Sequence, residues 1–412
     1  METREPGFVI GPIAKGKDLW DRQEEINAVW IALEKSSILL KAPRRFGKSS
    51  IMYNLYENPK PGFKVIFEDT EGMRDPIDFI ARLMTEMLID KKFWGSIKGW
   101  LKKTFPKVEE VGFSVAKFDE INIADFRLKI RESIGKDWQD KGLELISKIQ
   151  QYQNKIVFIL DELPILVQNI KRKEGKETAR NFLHWFRSIR QMPELAHVRW
   201  MVGGSIGIEH ILDEVEAGTK VVNDFHILRI GPFNEPDGIA YIKALLKNEG
   251  QIKRVQKSVT DEIIKTIGAS IPYFIQILVY EILNEMRRQK KKTITREIIK
   301  KAYREGVLGP ASRTYFEHYF TRLKDYYDEN SEHVAKRLIL EVARLEKVNK
   351  IALFKLFRQV SKGLLKDETF SRLMTDIEND FYVSFNPETK LYSFTTNVLR
   401  DWWLRYYDLV EE

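Results

Sequence analysis

The sequence predicts an α/β fold followed by a helical segment and a C-terminal helix-and-hairpin segment, and three observations carry that prediction. Up to residue 232, short apolar runs alternate with stretches of helical periodicity, as in a parallel sheet covered on both faces. Beyond Pro232 the strand-like runs stop and four helix-periodic segments follow. From residue 333 three helical patterns lead into FYVSFN-PET-KLYSF, two alternating strands joined by a turn. Three helices and a hairpin are the plan of a winged helix-turn-helix. The expected domains are 1–232, 233–309 and 310–412, the last boundary marked by Gly309-Pro310.

The elements follow in order. RQEEINAVWIALEK (22–35) is helical and SSILLKA (36–42) is a short buried-type strand. A helix starts at Lys48, and FKVIFEDT (63–70) is the next strand. PIDFIARLMTEMLID (76–90) is amphipathic, with Pro76 suited to a first helical turn. Residues 111–124 fit a hairpin better than a helix, and 125–153 reads as one long helical stretch. KIVFILDE (155–162) is an apolar strand ending in two carboxylates. NFLHWFRSIRQM (181–192) is helical, and VRWMVGGS (198–205) and FHILRIGPF (225–233) are strands.

Composition excludes several chemistries. The 412 residues contain no cysteine, which removes disulfides, zinc-thiolate sites and thiol catalysis, and the six histidines form no ligand-like cluster. No apolar run approaches the roughly 18–20 residues of a membrane span, and METREPGF lacks a signal-peptide core, so a soluble, cytoplasmic protein is expected. Net charge is +8. Residues 241–309 hold 15 basic and 7 acidic residues, whereas residues 310–412 hold 16 and 17. The basic charge therefore sits in the middle segment.

Residues 42–49 read Ala-Pro-Arg-Arg-Phe-Gly-Lys-Ser, the phosphate-loop pattern G-x-x-x-x-G-K-[ST] with Ala42 in place of the first glycine. A strand precedes it and a helix starts at Lys48, as the motif requires. Gly47 lets backbone N–H groups close around phosphate oxygens at a helix N-terminus, whose dipole favours anions. Lys48 would neutralise the outer phosphates of ATP, and the Ser49 hydroxyl would complete Mg²⁺ coordination. The loop residues Ala42, Pro43, Arg44, Arg45, Phe46, Gly47, Lys48, Ser49 and Ser50 are the expected nucleotide contacts. A nucleotide-hydrolysing site of this kind also needs a carboxylate at the end of a neighbouring apolar strand. Asp161 supplies it, and Glu162 can orient or deprotonate the attacking water.

APRRFGKSS, with its double arginine, resembles the archaeal-type predicted ATPases on the origin-recognition/STAND-like side of the AAA+ superfamily. The resemblance covers nearly the whole chain. LWDRQEEI (19–26) is similar to the family's arginine box, which implies Arg22 near the adenine. FRSIRQ (186–191) and VRWMVGGSIGIE (198–209) resemble its Arg-bearing helix and polar sensor strand. That implies Ser205 as the sensor of the γ-phosphate, and Arg187 or Arg190 as an arginine finger completing a neighbour's site in a homo-oligomer. IPYFIQIL (271–278) looks like the lid helix and YSFTTNVLRDWW (392–403) like the close of the winged helix. The sequence departs from the family at Ala42 and at Ala269-Ser270, where relatives often carry Gly-His. The resemblance implies a P-loop AAA+-type ATPase core, a helical lid, a winged helix, and ATP-driven switching or assembly.

Three surfaces compete for a partner. KKFWGSIKGWLKKTF (91–105) places aromatics at helical spacing among lysines, a pattern that suits a membrane surface, DNA or a protein but is read first as an insertion packed on the core, since Gly95 and Gly99 weaken a free-standing helix. The lid run Arg287, Arg288, Lys290, Lys291 and Lys292, extended by the helix to residue 304, suits the backbone of double-stranded DNA, though a solvated loop has the same composition. The third helix of the C-terminal segment carries Asp367, Glu368, Asp376, Glu378 and Asp380, and such acidity favours a protein partner over base reading. Lys355, Arg358 and Lys362 keep nucleic acid open there.

Overall fold

The computed structural model describes residues 6–89, 123–135, 137–152, 154–204 and 207–408. The basic segment 91–105 and nearly all of the expected hairpin at 111–124 lie outside these residues, as does Ser205. The chain divides into two compact units: Gln23–Ala42 with Ile51–Arg229, and Met1–Arg22 with Pro43–Ser50 and Ile230–Glu412.

The first of these units is built on five parallel strands, β1 (Ile38–Lys41), β2 (Phe63–Asp69), β3 (Lys155–Asp161), β4 (Val198–Gly204) and β5 (His226–Arg229), in the order β2-β3-β4-β1-β5. Placing β4 between β1 and β3 requires crossovers, and helices supply them: α1 (Gln23–Leu33), α2 (Lys48–Glu57), α3 (Pro76–Ile89), α4 (Ile123–Ile134), α5 (Trp138–Ser147), α6 (Leu163–Glu174), α7 (Lys176–Arg190) and α8 (Ile208–Glu214). Ile156 to Leu160 of β3 are wholly buried, as a central strand covered on both faces must be. The phenyl ring of Phe158 stacks on Trp200 of β4 at 4.6 Å. The long helical stretch expected over 125–153 is two helices, because Gly135 turns to a φ of 58° and ends the first. Helices α6 and α8 were not expected from the residue pattern.

Asp75 ties three helices of this unit together. Its carboxylate, 1% exposed, accepts the Asp78 N–H at 2.7 Å at the start of α3 and pairs with Arg131 of α4 and Lys173 of α6. Asp75→Ala removes a helix cap and one ion-pair partner from each of two cations, Arg131 keeping Asp78. It is expected to lower unfolding stability by about 1–3 kcal/mol in urea titration.

The other unit contains α9 (Glu235–Asn248), α10 (Lys257–Ile267), α11 (Pro272–Arg288) and α12 (Arg296–Lys301), the last running into a π-helical turn at Ala302–Val307. Their starts are written locally: Asn234 and Thr295 cap α9 and α12 through their side chains, and Pro272 opens α11. Then come α13 (Arg313–Tyr326), α14 (Glu329–Leu345), α15 (Lys350–Ser361), α16 (Asp367–Asn379) and α17 (Asn397–Tyr407). Strands β6 (Lys347–Asn349), β7 (Val383–Asn386) and β8 (Leu391–Phe394) form an antiparallel sheet in the order β6-β8-β7. The expected helices and hairpin are present, with α13 and β6 added. Trp402 and Trp403 of α17 are buried against Phe316 and Phe320 of α13.

Candidate functional site

The phosphate-loop sequence leaves β1 at the carboxyl edge of the sheet, and helix α2 starts at Lys48 as the motif requires. Two residues take positive φ, Arg45 at 73° and Gly47 at 89°. A Cβ on Gly47 would meet nothing within 4 Å, so the glycine is required for its backbone angle and not for space. Lys48 is 6% exposed at the first position of α2. Ser50 Oγ accepts the Ala14 N–H at 3.0 Å, fastening the N-terminal segment to the loop.

Residues far along the chain hold this loop. Tyr319 of α13 donates its hydroxyl to the Arg44 carbonyl at 3.3 Å. The Arg45 guanidinium lies over the Tyr273 ring at 4.5 Å and donates to the Gly11 carbonyl. Phe46, only 2% exposed, meets Phe381 edge to face at 4.8 Å. Phe381 has a φ of 64°, an outlier for a bulky side chain that costs on the order of 1–3 kcal/mol unless its surroundings impose it. Its neighbours do impose it. Asp380 pairs with buried Arg322 at 2.8 Å, and the Tyr382 hydroxyl donates to the Tyr319 carbonyl at 2.6 Å. His318, beside them, is held down to about 3 by burial, reinforced by the positive charges of Arg44, Arg45 and Arg322. Arg22 is buried, and its Nη2 donates to the carbonyls of Phe46 and Gly231.

The carboxylates sit at the same edge of the sheet, at the end of β3. Asp161 is 6% exposed and lies opposite Asp69 in the β2–β3 register. Its carbonyl accepts both the N–H and the hydroxyl of buried Thr70, at 2.9 and 2.8 Å. Glu162 takes left-handed φ 63° and ψ 33°, and its N–H donates to Asp161 Oδ1 at 3.2 Å. Helix α6 begins one residue later, with Pro164 in its first turn. A strained carboxylate where a strand becomes a helix is a common feature of functional sites. Burial, with Glu86 adding to it, pushes neighbouring Glu68 up to about 7.

Arg187 and Arg190 differ in surroundings. Arg190 binds both Asp224 oxygens at 2.9–3.0 Å and the Val221 carbonyl at 2.6 Å, between the rings of Phe186 and Phe225. Its side chain is 1% exposed. Arg187 is half-buried and reaches Asn223 at 3.3 Å.

On the expected partner surfaces, Arg287, Arg288 and Lys290–Lys292 are exposed, although Arg288 and Lys301 both pair with buried Glu285 and Arg296 pairs with Glu262. Four of the five carboxylates on α16 have partners: Asp367 with Arg358, Asp376 with the Tyr327 hydroxyl, Glu378 with the Phe385 N–H, and Asp380 with Arg322. Two of these carboxylates, Asp367 and Asp380, are thus neutralised by arginines, the latter just past the end of α16.

The donor set fits a Mg²⁺–nucleotide. Backbone groups at positive φ lead into a ten-residue helix carrying Lys48 and Ser49, and a serine hydroxyl there suits a hard cation that keeps most of its ligands as water and phosphate. Among the described residues there is no cluster of three or more His, Asp or Glu arranged to hold a metal on protein ligands alone.

No family model matches the sequence, and no curated protein matches it. Among solved structures the chain is similar to the ORC2 protein of Aeropyrum pernix in a structure of its ADPNP–ADP complexes. The two are 11% identical over 93% of this chain and 92% of that one, with a TM-score of 0.51. The chain shares the fold of that protein. Cdc6p of Pyrobaculum aerophilum (11% identity, 96% of each chain, TM-score 0.42) and Thermotoga maritima RuvB (11%, 92% and 94%, 0.41) also match. No helix among the described residues is long and apolar enough to cross a membrane.

Proposed function

We propose that the protein binds and slowly hydrolyses ATP with Mg²⁺, and that the nucleotide controls a switch or assembly step on double-stranded DNA. The observation that carries the switch is the grip of Tyr319 and Phe381 on the phosphate loop. Residues of the C-terminal segment touch the backbone and side chain of the loop that would bind phosphate, so occupancy and the position of that segment are coupled. In this reading Lys48 binds the outer phosphates and Ser49 and Asp161 hold the metal. Glu162 takes the proton of the attacking water, and Ser205 senses the γ-phosphate. Bound Mg²⁺ would neutralise charge on the phosphates. Arg187 is the better finger for a neighbouring copy, since the guanidinium of Arg190 is committed to Asp224 and Val221. Arg22 belongs with the loop, whose backbone it holds at the Phe46 carbonyl.

DNA would be held by the exposed lid residues Arg287, Lys290, Lys291 and Lys292, through phosphates and without reading sequence. ATP turnover with and without duplex DNA tests this reading, with Lys48→Ala as the silent control. Turnover should rise with DNA and the rise should vanish when the lid run is changed to serine. Retention on duplex DNA should weaken steeply between about 50 and 200 mM salt. Turnover indifferent to DNA would favour the second reading, a signalling ATPase whose C-terminal segment binds a protein. Its support is exposed apolar surface there: Leu345, Ile351 and Leu364 are 53%, 70% and 69% exposed.

A further inference from the structure

We infer that Arg22 is a positioning residue that sets the phosphate loop's geometry and ties it to the root of the helical lid, and does not read the adenine. The inference rests on the proposed nucleotide-binding reading. One nitrogen carries the argument. Nη2 of Arg22 donates one N–H to the Phe46 carbonyl at 3.2 Å and the other to the Gly231 carbonyl at 3.0 Å, joining chain positions 24 and 209 residues away. The guanidinium lies over the Phe233 ring at 4.5 Å, and the residue is 4% exposed.

The Phe46 carbonyl belongs to the peptide that ends in the Gly47 N–H. In a trans peptide these two groups point in opposite directions, and the chain has no cis bond among its described residues. Holding the carbonyl on the Arg22 side therefore points the Gly47 N–H away from Arg22, from the opposite edge of the peptide. Gly47, at φ 89°, has no intrinsic preference that would fix this orientation. Arg22 supplies the preference. The second bond extends its reach, because Gly231 and Phe233 lead directly into α9, and Asn234 caps that helix. A shift of the lid root would pull on the same nitrogen that orients the loop. A lysine cannot repeat this arrangement, since its compact ammonium lacks the planar fork and the flat face that rests on the ring.

The test compares binding of Mg·ATP and Mg·GTP by the full chain, by calorimetry, in wild type, Arg22→Lys, Arg22→Met and Phe233→Leu. A loop brace acts on phosphate, which both nucleotides share. Arg22→Lys should weaken both about tenfold with their ratio unchanged, Arg22→Met should weaken both further, and Phe233→Leu should weaken both about two- to threefold. Phe233→Leu keeps an apolar side chain under the guanidinium and gives a readout if the arginine variants fold poorly. Loss of ATP binding with GTP binding intact would overturn the inference in favour of adenine contact. Wild-type affinity in Arg22→Lys would overturn it outright. Failure of the wild type to bind either nucleotide, or binding untouched by Lys48→Ala, would instead defeat the nucleotide-binding reading beneath it.

Discussion

Glu162→Gln is expected to lower ATP turnover by about 10²–10⁴-fold, the usual worth of a general base, while ATP binding stays within a few-fold of wild type. The amide keeps the size of the side chain and removes its ability to take a proton. Its backbone is the reason to single it out over the other carboxylates at this edge. Glu162 is held at φ 63° between a buried strand and the first turn of α6, with its N–H on the Asp161 carboxylate and the carbonyl before it on Thr70. Steady-state turnover beside direct ATP binding checks the prediction. Undiminished turnover would remove Glu162 from the chemistry, whereas loss of binding would make it part of the nucleotide contact instead. Lys48→Ala provides the contrast: binding itself should fall, with the melting temperature nearly kept.

Arg322→Ala is expected to destabilise the C-terminal unit by about 3–5 kcal/mol, the cost of leaving one partner of a buried ion pair without the other. Arg322 and Asp380 have side chains only 5% and 9% exposed and lie 2.8 Å apart. Asp380 immediately precedes Phe381, so losing the pair also releases the residue that presses on Phe46. Urea unfolding measures the first effect. Faster exchange of a fluorescent nucleotide measures the second, and unfolding stability within 1 kcal/mol of wild type would refute the buried pair. Acid should act on the same region. His318 remains neutral in the folded protein down to about 3, but protonates near its ordinary 6.5 once unfolded. Between those values the unfolded chain binds a proton that the folded chain does not. Its contribution to stability is therefore complete above about pH 6.5 and declines as pH falls toward 3. His318→Phe, which cannot take a proton, should flatten that part of the profile.

Much of the fold was legible because its signals are local. The apolar run at 156–160 is strand-sized and is buried on both faces, and the expected carboxylates Asp161 and Glu162 stand at its end. The phosphate loop was legible for the same reason. Its glycine, lysine and serine are adjacent in sequence and need only a strand before and a helix after. The register that sets Asp69 opposite Asp161, the break at Gly135 and the partners of the α16 carboxylates were not legible, because each depends on side chains or turns that periodicity does not encode. Charge counting made α16 acidic, but four of those charges are answered by Arg358, Tyr327, Arg322 and a backbone N–H.

The sequence by itself determined the α/β class and most of the strands and helices, and it singled out Lys48, Ser49, Asp161 and Glu162 as the candidates for nucleotide chemistry. Those depend on residue types at short spacing, where backbone geometry leaves few alternatives. Only the tertiary structure decided that β4 lies between β1 and β3, that Arg190 is locked to Asp224, and that Arg22, Tyr319 and Phe381 close on the phosphate loop. Contacts between residues distant in the chain leave no local trace, because they are fixed by how the elements pack and not by the propensity of any one segment.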